Sequence, residues 1–148
     1  MTPAVEEAKK AGIPFTLHEY EGVEAGDGDY AVAVANALGI EAHRLFKTLI
    51  AEVGGKLAVY VIPANAQLDL RSLGKNASLA DKAKAEKATG YVVGGISPLG
   101  QRRRLPTTID ERALEHETIL VSAGKRGLQI ELDPNDLVRL VAGQVGRA

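Results

Sequence analysis

Leu45-Phe46-Lys47-Thr48-Leu49-Ile50-Ala51-Glu52-Val53, then Gly54-Gly55, then Lys56-Leu57-Ala58-Val59-Tyr60-Val61-Ile62 is the stretch on which the fold turns. Two strand-length apolar runs flank a glycine pair, and that dipeptide suits a tight hairpin turn needing positive φ at both central residues. Pro63 ends the second strand. Downstream, Thr107-Thr108-Ile109-Asp110, Thr118-Ile119-Leu120-Val121-Ser122 and Leu128-Gln129-Ile130-Glu131-Leu132 read as strands, the last two joined by the loop Ala123 to Gly127. Upstream, Phe15 to Tyr20 alternates as far as His18, predicting a strand with Thr16, His18 and Tyr20 on one face.

Helices collect near the start, the middle and the end. Thr2 before Pro3, with Gly12 as the stop, predicts a helix over 3–11. Asp29 is placed to cap a second helix through Leu38, closed by Gly39. Asp69 should cap a short helix to Leu73, Ser78 with Asp81 a longer one through Ala88, and Asp133-Pro134 opens a last helix over 134–142. Residues 21–29, with Gly22, Gly26, Gly28 and acidic neighbours, read as a flexible acidic loop. Tyr91-Val92-Val93 reads as a short strand feeding the loop Gly94-Gly95-Ile96-Ser97-Pro98-Leu99-Gly100. Strands mostly follow strands, which favours an α+β fold over a doubly wound one. The expectation is a single domain over 1–148 with a mixed or antiparallel, twisted, barrel-like sheet flanked by helices.

Composition narrows the chemistry. The chain has 148 residues, a length that fits one domain, and its 45% hydrophobic and 25% charged shares are those of an ordinary globular protein rather than a disordered one. Eighteen Lys and Arg against 19 Asp and Glu leave a net charge of -1, so a chain-wide basic field for gripping nucleic acid is absent, and DNA is not an expected partner. With no cysteine, disulfides, thiolate metal sites and a protein thiol nucleophile are excluded. His18, His43 and His116 have no ligand spacing, so no metal is expected. Charge enters at once after Met1, and no apolar run approaches a membrane span. The expected compartment is the cytoplasm.

Three features could carry chemistry. Lys47 shares a strand face with Leu45, Leu49, Ala51 and Val53, while Phe46, Thr48 and Ile50 take the other, and both faces read as largely buried. Such a lysine either snorkels from an edge strand or lines a cleft as a cation for a carbonyl oxygen, carboxylate or phosphate. Gly94, Gly95 and Gly100 allow close approach of backbone N–H groups to an oxyanion, or simply mark a turn held by Pro98. The loop matches neither the dinucleotide fingerprint nor the phosphate loop. Arg102-Arg103-Arg104, with Lys125-Arg126 in another loop, form either a local phosphate patch or a solvated surface. Ser122 lacks a nucleophile-elbow pentapeptide and reads as a strand-end hydroxyl.

Met1 to Val5, His18-Glu19-Tyr20, Leu45 to Leu49, Gln67-Leu68-Asp69-Leu70, Thr89 to Gln101, Arg104-Leu105-Pro106-Thr107 and Gly124 to Leu128 together resemble the YbaK family, in order and over essentially the whole chain. Members are trans-editing aminoacyl-tRNA deacylases related to the editing domain of bacterial prolyl-tRNA synthetases. The resemblance implies release of cysteine from mischarged Cys-tRNA(Pro), with some action on Cys-tRNA(Cys), by attack of the cysteinyl thiol on its own ester. It implies no cofactor, the aminoacyl-tRNA acceptor end as partner, and prolyl-tRNA synthetase as a further one. Lys47 and the backbone of Gly94 and Gly95 would be catalytic. Tyr20, Tyr30, Thr48, Ile96, Ser97, Pro98, Ser122 and Gln129 would bind substrate, and Arg102, Arg103, Arg104, Lys125 and Arg126 would meet tRNA. Tyr30 stands where the family has Phe, and Gln129 where it has an acidic residue. A non-catalytic tRNA- or synthetase-binding module, or a deacylase for another small aminoacyl group such as alanyl, are the alternatives.

Overall fold

The computed structural model describes residues 1–23 and 29–148; most of the expected acidic loop lies outside the described residues. The hairpin forms as read: β2 (Phe46–Val53) pairs antiparallel with β3 (Lys56–Pro63) in unbroken register from Phe46↔Pro63 to Val53↔Lys56. Gly54 and Gly55 take φ of 58° and 79°, which only glycine adopts cheaply in succession.

β1 (Phe15–Glu19), β6 (Ile119–Lys125) and β7 (Leu128–Leu132) make a three-stranded antiparallel sheet in the order β1-β7-β6. β4 (Ser78–Leu79), β5 (Thr107–Asp110) and β8 (Gln144–Gly146) join the hairpin in a five-stranded mixed sheet, β4-β2-β3-β5-β8, parallel at β3–β5 and β5–β8. The α+β class and mixed sheet are as expected, but the barrel-like closure is not a continuous ladder. The two sheets meet at one isolated parallel bridge, Leu45↔Leu120, among the described residues. Their facing sides share a core of Phe46, Ile50, Val59, Val61, Ile109, Ile119, Val121 and Ile130.

Helices cover the rims. α1 (Pro3–Ala11) starts on Thr2, whose hydroxyl accepts from Val5 N and donates to the Ala123 carbonyl, and it buries Ala4, Val5 and Ala8. α2 (Tyr30–Leu38) ends at Gly39 and packs Val34 and Ala35 over Leu45, Ala64 and Leu120. α3 (Leu70–Leu73) is a single turn, α4 (Lys82–Thr89) follows β4, and α5 (Pro134–Val141) is capped by the Asp133 carboxylate.

Three readings need correction. Ser78 does not cap α4: it lies in β4, paired to Glu52, and Asp81 holds the cap position. Asp29, Asp69 and Asp81 all occupy N-cap positions without a side-chain capping bond. Tyr91-Val92-Val93 is not a strand, because the chain turns at once and Gly95 N–H bonds Val92 O at 2.8 Å. β8, polar and short, carried no local signal.

Candidate functional site

β2 has two neighbours on its outer edge and a gap between them. Leu45, just ahead of it, bridges to Leu120 of β6, and β4 pairs with it from Ala51; between these points a cleft of about 420 Å³ opens. Its walls are α2 (Tyr30, Ala31, Val34), β2 (Phe46 to Ile50), the Leu79–Ala85 corner, the turn at Val93, Gly94 and Ile96, and the cross-strand pair Ser122↔Gln129. That volume lies in the range of small-ligand sites, roughly 300–1,000 Å³.

Lys47 lines this cleft. It is half-buried and makes no ion pair or hydrogen bond among the described residues. Burial pushes its pKa below the ordinary lysine value of 10.5, and the Asp29 carboxylate pulls the other way. Of the two readings for Lys47, the cleft-lining cation is the one the geometry bears. Asp29, freed from capping, also lines the cleft and was not singled out from sequence, where an acid ahead of a helix already has an explanation.

The two glycines at the turn have different roles. Gly94 lines the cleft, and its N–H has no partner among the described residues. Gly95 N–H is already given to Val92 O, so the expected pair of amide donors reduces to Gly94. A Cβ on Gly95 would sit 2.8 Å from Lys125 Cα, and one on Gly100 2.6 Å from the Pro3 carbonyl carbon. Gly95 and Gly100 are therefore packing contacts with the β6–β7 hairpin and α1. The turn is clamped from both sides: Val93 N–H donates to Glu86 Oε2 at 2.7 Å, and Arg126 donates to Val93 O from Nε at 3.1 Å and Nη2 at 2.6 Å. Tyr91 is buried behind it and donates to Leu99 O at 2.6 Å.

Tyr30, Thr48, Ile96, Ser122 and Gln129 line the cleft, while Tyr20 reaches it through a 3.0 Å hydroxyl contact with Tyr30. Burial, then the Tyr20 hydrogen bond, raise the Tyr30 pKa, so its phenol stays neutral near pH 7. Ser122 Oγ accepts from Gly124 N at 3.2 Å, but Ser122 is not at a strand end as expected, because β6 continues past a register shift to Lys125. Thr48 Oγ1 and Gln129 Oε1 are buried with no hydrogen-bond partner among the described residues. Buried acceptors of this kind cost about 1–3 kcal/mol each unless a ligand supplies a donor.

Ser97 and Pro98 are not among the lining residues. Ser97 is fully buried with Oγ accepting from Leu99 N, and Pro98 faces a second, shallow dip with Glu7, Arg103 and Arg104. Arg102, Arg103, Arg104 and Lys125 are exposed and outside the cleft, and Arg126 is occupied at Val93. Two of the loop arginines close the end of α4 through their backbone, Arg102 N bonding the Thr89 carbonyl and Arg103 N the Ala88 carbonyl. No group of three metal-ligating side chains occurs among the described residues. No helix there is long and apolar enough to cross a membrane.

The model of the aminoacyl-tRNA editing domain family matches residues 26–140. A protein of Enterococcus faecalis (strain ATCC 700802 / V583), EbsC, named provisionally as a Cys-tRNA(Pro)/Cys-tRNA(Cys) deacylase, is 41% identical over 97% of this chain and 90% of its own. Two crystal structures share the fold. The hypothetical protein APE2540 has a TM-score of 0.84 at 23% identity, covering 98% of this chain and 97% of the other. A provisionally named trans-editing enzyme for prolyl-tRNA synthetase has a TM-score of 0.80 at 21% identity, covering 99% and 97%.

Proposed function

This chain belongs to the aminoacyl-tRNA editing domain family and is an aminoacyl-tRNA deacylase, and from that premise we propose that it releases cysteine from mischarged Cys-tRNA(Pro), and from Cys-tRNA(Cys), by a substrate-thiol mechanism. The observation that carries the reading is Lys47, a half-buried cation lining a cleft that Gly94 also lines, with neither the Lys47 ammonium nor the Gly94 N–H partnered among the described residues. Residues 1–148 act as one editing unit in the cytoplasm, with prolyl-tRNA synthetase as the partner whose errors are corrected.

The cysteinyl sulfur attacks its own carbonyl carbon, forming the C–S bond of a thiolactone as the C–O bond to the terminal ribose breaks. The ribose oxygen leaves with a proton, and water later opens the thiolactone to free cysteine. Tethering gives the attack a high effective molarity, so no protein nucleophile is needed. The protein's part is electrostatic: Lys47 and Gly94 N–H oppose the charge developing on sulfur and carbonyl oxygen. Thr48 Oγ1, Gln129 Oε1 and the Asp29 carboxylate are acceptors for the substrate's α-ammonium.

Deacylation of cysteinyl-, seryl- and alanyl-tRNA by wild type and Lys47→Ala tests this. Cysteinyl release should fall by about 100-fold or more in the variant, and seryl-tRNA, whose hydroxyl is a poor nucleophile, should be spared. Unchanged turnover in Lys47→Ala removes the assigned site. Faster release of alanyl than cysteinyl replaces the thiol mechanism with simple hydrolysis.

A further inference from the structure

The mouth of the cleft carries an apolar shelf that these steps leave unused. Leu79 and Val93 line the cleft with 55% and 37% of their surfaces open, and Val92, next to Val93 in the chain but not itself a lining residue, is 58% exposed. Single exposed aliphatics need no explanation, but a group of them at one opening does. The shelf is also held in place. Val93 is fixed at its N–H by Glu86 and at its carbonyl by Arg126, and the Val92–Gly95 turn is closed by its own hydrogen bond. Two charged side chains therefore support backbone whose valines stand open to solvent.

Covalent geometry dictates what lies there when the cleft is filled. The scissile carbonyl is esterified to the terminal ribose of tRNA, so that ribose and its base stand only a few bonds outside the cleft. tRNA ends in adenosine, whose base has two flat, weakly hydrated faces that pack on apolar side chains. We propose that Leu79, Val92 and Val93 seat the adenine of the terminal nucleotide, a contact to the leaving group rather than to the aminoacyl group. It rests on the deacylase reading of the cleft. Because the terminal nucleotide is common to tRNAs, the shelf supplies affinity without tRNA identity, which fits a chain whose net charge of -1 offers no broad phosphate grip.

A double-mutant cycle between base and shelf tests the proposal. Cysteinyl-tRNA with its normal 3′ adenosine is compared with the same tRNA ending in an abasic ribose, on wild type, Leu79→Ser, Val92→Ser and Val93→Ser. Each variant should raise KM on the normal substrate about fivefold with kcat little changed. Removing the base should raise the wild-type KM by more than that and cost the variants progressively less. Equal wild-type KM on both substrates overturns the proposal, as does an equal loss by the variants on both. If wild type deacylates neither, the reading of the cleft fails, and the shelf is judged by the Leu79, Val92 and Val93 methyl resonances on adding an uncharged acceptor-stem minihelix: shifts support it and their absence overturns it. Conversion of a dimer to a monomer by the variants, without coupling to the base, identifies a self-association surface and also overturns it.

Discussion

Lys47 is a cation kept where burial disfavours charge, and only Asp29 is seen to work in its favour. If the charged form is required, activity falls as pH rises through a pKa lying below 10.5. Asp29→Asn removes the carboxylate that holds the Lys47 pKa up, so the alkaline limb of kcat/KM should move to lower pH. An unmoved limb would exclude Lys47 as the titrating group. The glycines separate differently. Gly95→Ala places a methyl 2.8 Å from backbone of Lys125 and should cost about 1–3 kcal/mol in denaturant unfolding. Gly94→Ala puts a methyl 2.5 Å from Arg126 Nε, one of the two nitrogens that hold Val93 O, and does so at φ 94°. It should strain the turn by about 1–3 kcal/mol and lower deacylation more than a stability loss of that size explains. Lys47 was legible because a cation inside an apolar run is an anomaly. Asp29 was not, because capping accounts for it until the structure shows that the carboxylate makes no cap.

At the scale of elements, the turn at Val92–Gly95 belongs functionally to the β6–β7 hairpin, whose Arg126 holds it. Arg126→Ala should lower kcat by about tenfold through misplacement of Gly94, and Arg126→Lys should not rescue it, since an ammonium cannot reproduce a two-nitrogen grip on one carbonyl. Rescue by Lys, with the loss in KM and a weakened salt dependence, would return Arg126 to the role of phosphate contact. The hairpins and capped helices were readable because their signals are local: Gly54-Gly55, Thr2-Pro3 and Asp133-Pro134 each act within a few residues. Tyr91-Val92-Val93 misled because three apolar residues look like a strand when their real partners are Leu99 and the distant hairpin. β4 and β8 have two and three residues, and only their partners make them strands.

Across the whole molecule, Glu131 ties the three-stranded sheet to its surroundings. It accepts from Thr118 Oγ1 at 2.5 Å, faces His18 Nε2 at 2.7 Å and accepts from Arg44 Nη2 at 3.0 Å. The Thr118 hydrogen bond first, then His18 and Arg44, hold its carboxyl below the usual 4.5 against the opposing effect of burial. A carboxylate with a lowered folded pKa adds stability above its unfolded value and loses it as pH falls through the folded one. Glu131→Gln should therefore cost about 1–3 kcal/mol at pH 7, and the gap to wild type should close below pH about 4; a constant gap in acid unfolding would refute the ionic account. None of this was visible from sequence, since the partners lie on β7, β1, the Ala42–Arg44 turn and the start of β6. Among the described residues the two sheets are bridged once, at Leu45↔Leu120. Leu45 also lines the cleft, and Leu120 packs in the same buried cluster, so a substitution at Leu120 that never touches the substrate should shift the cleft wall and with it the selectivity among small aminoacyl groups.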